Sequence, residues 1–268
     1  MTEPAIIAQQ KTIAFIGAGN VATHLSLALQ AKGNSIIAVY SKTLQSAQSL
    51  ATRIGCQAYT SIYDIPAADI FIVCVKDQVI YEVINLLRER FPNSILLHTA
   101  GSIPLSIFGN HPGGFGIIYP LQTFSKTKAI NWETIPFLIE YDSKVTKSRI
   151  ELLVGNLSNH IVEASSEQRK WVHLSAVFAC NFSNHCYDLA MQLLEKQNLP
   201  PEILIPLIDE TTQKIHELSP HLAQTGPAHR GDKNIIEAHQ MMLKDEENLL
   251  SIYKKMSESI LNKKSNNC

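Results

Sequence analysis

The 268-residue sequence has no long apolar run, although 45% of it is hydrophobic. Nothing in it approaches the ~20 consecutive apolar residues that a membrane-spanning helix requires. A membrane is therefore not an expected partner. Charge of one sign is lacking too: 23 Lys and Arg stand against 24 Asp and Glu, a net charge of −1. Without a basic excess the chain has no electrostatic footprint for nucleic acid. Cysteine is sparse and scattered. Cys56, Cys74, Cys180, Cys186 and Cys268 form no C-x-x-C pair, so they read as reduced thiols, and neither a disulfide framework nor a metal centre is expected. The opening Met1-Thr2-Glu3-Pro4 lacks the charged-then-apolar pattern of a signal peptide. Together these absences predict a soluble cytoplasmic protein, frayed over its tail, Asn262–Cys268.

What the chain does have is concentrated near its start. Thr12–Ile16 is a short β-branched and apolar run, the pattern of a strand buried on both faces. Gly17-Ala18-Gly19 breaks it, and Asn20, Val21 and Ala22 open a stretch with apolar residues at helical spacing. Strand, glycine turn and helix in that order are the context in which a G-x-G-x-x-G/A pattern binds a dinucleotide. Gly17 permits the tight turn, and Gly19 lets a pyrophosphate approach the main chain. The first free N–H groups of the helix, with its dipole behind them, would hold the phosphates.

A second buried strand, Ser35–Tyr40, ends without the acid that would bond a ribose 2′-hydroxyl. Ser41-Lys42-Thr43 stands there instead. A lysine and two hydroxyls suit a 2′-phosphate, so the pattern predicts NADP (as NADPH) over NAD. Further strands are predicted at 57–60, 69–75, 94–97, 115–119, 136–140 and 160–163, alternating with helices at 43–54, from Asp77 and at 143–157. Alternation of this kind implies an α/β doubly wound sheet, with ligands beyond the carboxyl ends of its strands. Val75 and Lys76 are therefore expected at the cofactor, with Thr99, Ala100 and Gly101 beside the nicotinamide. His98, Gln122 and Thr123 are candidates for the substrate. His98 has an alternative reading as a core histidine that orients its turn, and Gln122 one as a turn-stabilising side chain.

The pattern changes at residue 164. Ser165 and Gln168 form an S-x-x-Q capping box before a helix predicted over 167–197. One face carries Trp171, Leu174, Phe178 and Phe182. The opposite face carries Arg169, Lys170, His173, Asn181 and Asn184. A helix face holding His and Asn instead of Lys and Glu is expected to be buried against another surface. His173 is the preferred general acid, because histidine ordinarily titrates near neutral pH. Lys170 competes for that role, and Asn181 would position substrate. Arg230, in the turn-rich stretch Thr225–Asp232, could grip an anionic substrate group or simply pair with Asp232. The domains are set at 1–164, for the cofactor, and 165–268, all-helical.

Four stretches carry a family resemblance: Gly17–Ala22, His98-Thr99-Ala100-Gly101, Tyr119-Pro120-Leu121-Gln122-Thr123-Phe124 and Thr225–Asp232. Together they resemble bacterial NADP oxidoreductases with an N-terminal Rossmann domain and a C-terminal helical domain of unknown function. That group is similar to pyrroline-5-carboxylate reductases and to 6-phosphogluconate and β-hydroxyacid dehydrogenases. The resemblance implies a homodimer, with the cleft near the helical interface. One departure is plain: the catalytic Lys with Asn four residues on, found in β-hydroxyacid dehydrogenases, is absent, since Leu174 follows Lys170 at that spacing. The expected activity is hydride transfer from NADPH to a small carbonyl or imine substrate, an acidic group of which Arg230 would fix. The alternatives are a non-catalytic NADP-binding sensor or interaction protein and, on the glycine turn alone, a methyltransferase.

Overall fold

The structure, a computed structural model, describes residues 11–265 and the side chains of residues 11–262. The opening Met1–Pro4 and residues 266–268 lie outside the described residues. The chain divides into two compact units, Met1–Cys180 and Asn181–Cys268.

The first unit is an eight-stranded sheet ordered β3-β2-β1-β4-β5-β6-β7-β8. Its strands are β1 (Thr12–Ile16), β2 (Ser35–Tyr40), β3 (Gln57–Tyr59), β4 (Ile70–Val73), β5 (Ile95–His98), β6 (Phe115–Pro120), β7 (Phe137–Tyr141) and β8 (Ile161–Glu163). Its helices are α1 (Asn20–Ala31), α2 (Leu44–Ile54), α3 (Asp77–Arg90), α4 (Lys144–Val154) and α5 (Ser166–Ala176). The period-two side-chain alternation of a strand serves both faces. Ile13 and Phe15 of β1 pack with Leu25 and Leu29 of α1, Leu50 of α2 and Ile150 of α4. Ala14 and Ile16 pack with Ile80, Ile84 and Leu87 of α3 on the other side. Burial on both faces is why these strands read as unbroken apolar runs.

The strand order reverses between β1 and β4, which pair in parallel while β2 lies on the far side of β1. Two strands depart from the common direction: β7 runs antiparallel to β6, and β8 lies parallel to β7. The connection over 121–136 holds only the 3₁₀ turn Trp132–Thr134. Parallel neighbours need a crossover, and this connection has no helix to supply one.

The helix predicted over 167–197 is continuous but not uniform. A π-helical stretch, Val177–Phe182, joins α5 to α6 (Ser183–Glu195). The capping box at its start is present: the Ser165 hydroxyl accepts from the Gln168 N–H, and the Gln168 carboxamide accepts from the Ser165 N–H. The second unit continues with a 3₁₀ turn at Pro201–Leu204, α7 (Ile205–Glu217), the single turn α8 (Pro227–Arg230), α9 (Lys233–Met242) and α10 (Glu247–Ser265). Helix α10 thus includes residues 262–265, which the sequence reading left frayed. Among the described residues no helix is long and apolar enough to cross a membrane.

Candidate active site

The carboxyl ends of β1, β2, β4, β5 and β6 form one edge of the sheet, and it begins with the glycine turn. Gly17 has φ of 120°, and a Cβ there would lie 2.3 Å from the Cys74 carbonyl oxygen. Its N–H donates to the Tyr40 carbonyl at 2.8 Å. Gly17 is thus required by the fold itself. Gly19 differs: a Cβ there would meet nothing within 4 Å, and the residue is exposed. Gly19 also caps α1, without a side-chain cap bond and with no acid in the first turn. The open first-turn N–H groups and the dipole behind them suit a phosphate. The Asn20 carboxamide donates to the Phe124 carbonyl at 2.6 Å, and the His24 imidazole Nε2 meets the Ser125 carbonyl at 2.7 Å. These two bonds tie the segment after β6 to the start of α1.

Ser41, Lys42 and Thr43 follow β2, and Lys42 and Thr43 are exposed. Lys42 enters no ion pair among the described residues, and its charge is available to an anion. Val75 and Lys76 follow β4. Lys76, not Asp77, caps α3. The Asp77 carboxylate accepts from the Ser102 hydroxyl at 2.7 Å and lies in the first turn of α3, where the dipole favours it.

The turn after β5, Thr99-Ala100-Gly101, is roofed by two aromatic side chains from elsewhere in the first unit. The Tyr119 hydroxyl, at the end of β6, lies 3.1 Å from His173 Nδ1 on α5. Their rings meet edge-on, 6.1 Å apart at 64°. A Cβ on Gly101 would sit 2.9 Å from both His173 Nδ1 and Tyr119 Cζ. Only glycine therefore fits beneath the pair. Both side chains are half-buried, and burial pushes the Tyr119 hydroxyl up from its ordinary pKa, with the Arg169 charge opposing it.

Below the turn lies a buried layer. His98 is 0% exposed and stacks on Phe108 at 5.4 Å. Its Nδ1 accepts from the Ala100 N–H at 3.2 Å. Burial first, then the Arg169 charge, push its pKa down to about 3, so the ring is neutral. The substrate-binding role expected of His98 does not survive this burial: the side chain has no surface to offer a ligand, and it orients the turn instead. Arg169 is also 0% exposed. Its guanidinium donates to Glu140 at 2.7 Å and to the Ile103 carbonyl at 2.5 Å. Ser166 completes the network, donating to Glu140 at 2.6 Å and accepting the Leu105 N–H at 2.8 Å. Helix α5, and His173 with it, is thereby pinned to the sheet.

The other candidates stand elsewhere. Gln122 and Thr123 are exposed, and the Gln122 side-chain Oε1 accepts the Thr123 N–H at 2.7 Å, a turn closed by its own side chain. They line a cavity of about 240 Å³ with Ser125 and Asn131. Lys170 is exposed and lines a surface groove with Trp171 and Leu174, with no ion pair among the described residues. Asn181 and Arg230 belong to the second unit, and both are exposed. Arg230 Nε and Nη2 each lie 2.8 Å from Asp232 Oδ2. The pair braces its loop, and Asp232 makes no side-chain cap bond to α9. Of the polar face of the long helix, Arg169 is buried and His173 half-buried, while Asn181 and Asn184 are exposed among the described residues.

Comparison with known proteins identifies the family. Residues 12–101 match the family described as NADP oxidoreductase, coenzyme F420-dependent. Residues 135–260 match a family described only as a domain of unknown function. The crystal structure of a candidate NADP oxidoreductase from Bacteroides fragilis superposes with a TM-score of 0.90 at 43% identity, over 94% of this chain and 98% of that one. The chain belongs to this oxidoreductase family. The oxidoreductase shares its fold with a protein from Thermotoga maritima, at TM-score 0.71 and 23% identity over 95% of this chain and 99% of that one. It likewise shares it with a pyrroline-5-carboxylate reductase from Coxiella burnetii, at TM-score 0.58 and 17% identity over 96% of this chain and 98% of that one. No curated protein matches it.

Tyr119 and the Glu140–Arg169 pair of the oxidoreductase carry no role in the sequence reading. For Tyr119 a signal was present, because it closes a strand at the carboxyl edge of the sheet. For Arg169 the only signal is its place on the helix face expected to be buried; its partner, 29 residues away, is not readable from local pattern.

Proposed function

We propose that this oxidoreductase is an NADPH-dependent reductase of a small carbonyl or imine compound. The observation that carries the reading is the His173–Tyr119 pair closed over Gly101, on the same sheet edge as the glycine turn. The residues present fit a dinucleotide: Gly19 leaves open space, the N-terminus of α1 is uncapped, and no carboxylate stands among Ser41, Lys42 and Thr43. In this reading Gly17, Ala18, Gly19, Asn20 and Val21 present backbone N–H groups to the pyrophosphate. Lys42, with Ser41 and Thr43, holds the 2′-phosphate that distinguishes NADP from NAD. Val75, Lys76, Thr99, Ala100 and Gly101 flank the nicotinamide, which supplies the hydride when bound.

His173 then delivers a proton to the substrate oxygen or nitrogen as its carbon is reduced. Positioned proton transfer of this kind contributes about 10²–10⁴-fold in rate. The second unit supports assembly as a homodimer. Among its described residues only Ala228, Ile236, Leu243 and Ser257 are buried, while Leu207, Leu222 and Met242 stand open, and apolar surface of this kind marks an interface. The four described cysteines are all free thiols, which suits the reducing cytoplasm.

The reading is tested by following oxidation of NADPH with a panel of keto and imino acids. Turnover with at least one of them should fall by about 100-fold or more in His173→Ala, with NADPH affinity kept. Undiminished turnover in that variant removes His173 from the reaction.

A further inference from the structure

We infer that Tyr119 is the positioning residue for His173, holding Nδ1 so that Nε2 is the nitrogen presented to substrate. The inference rests on the proposed role of His173 and deepens it.

The geometry leaves His173 little choice. Nδ1 faces the Tyr119 hydroxyl at 3.1 Å, and the Gly101 backbone lies directly below the same nitrogen. Nε2 is the ring's only other exchangeable position. A phenol oxygen suits this place because it can accept from Nδ1–H whether the ring is charged or neutral. When the ring is an imidazolium, the Nδ1–H donates to the Tyr119 oxygen and Nε2–H faces outward. As the substrate carbon gains its hydride, the Nε2–H bond breaks and the substrate oxygen or nitrogen takes the proton. The neutral imidazole left behind keeps its proton on Nδ1, still donated to Tyr119, and Nε2 is recharged from solvent. Tyr119 neither gains nor loses a proton in this cycle. Its burial raises the hydroxyl's pKa and so keeps it a phenol throughout.

The supporting shell is rigid on every side. Arg169 and Ser166, one and two turns before His173 on α5, are bonded to Glu140 of β7 and to the backbone at Ile103 and Leu105. Tyr119 lies in β6, paired with Leu138 of β7. The two halves of the pair thus hang from adjacent strands. The charged group acting on Tyr119 is Arg169, from below. Gly101 completes the arrangement: any side chain there would enter the space of both rings, so the small turn residue and the pair form one unit.

The test is Tyr119→Phe, which keeps the ring and removes only the hydroxyl. Two readouts are taken on the full-length protein: steady-state kinetics with NADPH, and nitrogen NMR of the ring after histidine labelling, with His173→Gln used to assign the signal. We expect kcat to fall about tenfold with NADPH affinity and melting temperature unchanged, the loss of one hydrogen bond's worth of orientation. We also expect the neutral His173 ring to pass from one tautomer in the native protein to an average of two in the variant. A Tyr119→Phe protein with native kcat and a native tautomer overturns the inference, as does a variant whose kcat, NADPH affinity and melting temperature all fall together. Loss of the His173 role itself is seen separately, as full turnover in His173→Ala. The NMR readout needs no turnover, so the two failures cannot be confused.

Discussion

The two units of this chain handle their apolar residues in opposite ways. In the first, Ile13, Phe15, Leu25, Leu29, Phe71 and Ile72 are wholly buried between sheet and helices. In the second, Leu222 is 71% and Met242 80% exposed. The first unit is closed upon itself because a parallel sheet must be covered on both faces. In the second, large apolar side chains are exposed on the described helices. The lesson is a division of labour. One unit carries a covered sheet edge on which chemistry can be placed, and the other leaves large apolar side chains exposed. The long helix joins them through its π-helical turn, a feature frequent at functional sites.

The contrast can be broken most forcefully at the pinned base of α5. Arg169→Ala leaves Glu140 without its partner and is expected to cost about 3–5 kcal/mol in urea unfolding. A loss of under 1 kcal/mol would show that the network does not anchor the helix. Gly17→Ala forces both a positive φ and a clash with Cys74, at about 3 kcal/mol. Gly19→Ala, two residues on, is expected to leave the melting temperature unchanged and to weaken only dinucleotide binding. Equal melting losses in the two variants would contradict the distinction drawn here between a fold glycine and a ligand glycine. In the second unit, Leu207→Glu is expected to shift sedimentation from dimer to monomer while the first unit keeps its melting transition. A native protein that sediments as a monomer would remove the dimer.

A further dependence, on pH, is confined to acid conditions. His98 has a folded pKa of about 3, below its ordinary value of 6.5. Its contribution to stability is complete above pH 6.5 and is lost as pH falls toward 3, at up to about 1.4 kcal/mol per unit, because only the unfolded chain takes up the proton. His98→Asn, which keeps an acceptor for the Ala100 N–H, is expected to flatten that slope in acid titrations followed by circular dichroism. An unchanged slope would mean that His98 is not held neutral.

What the sequence disclosed follows from distance along the chain. The strands, the glycine turn and the Ser165 capping box are local patterns, and each is where the residues put it. Antiparallel β7 was not legible, because nothing local in Pro136–Glu140 states the direction of a neighbour. The π-helical turn was missed because an apolar stripe at helical spacing reads the same across it. At the site, the residues of the carboxyl edge were legible from strand ends alone. The pairing of Tyr119 with His173 spans 54 residues and exists only once β6 and α5 are assembled. His98 was ambiguous for a related reason: its burial depends on Phe108, in a 3₁₀ turn that no periodicity announces.

The most direct test of the account is calorimetric titration of the purified protein with NADPH, NADH and coenzyme F420, repeated on Lys42→Ala and Gly19→Ala. The account predicts that NADPH binds in preference to the other two, that Lys42→Ala lowers its affinity about tenfold toward that of NADH, and that Gly19→Ala weakens both nicotinamide nucleotides together. Equal binding of NADPH and NADH, untouched by Lys42→Ala, would contradict it.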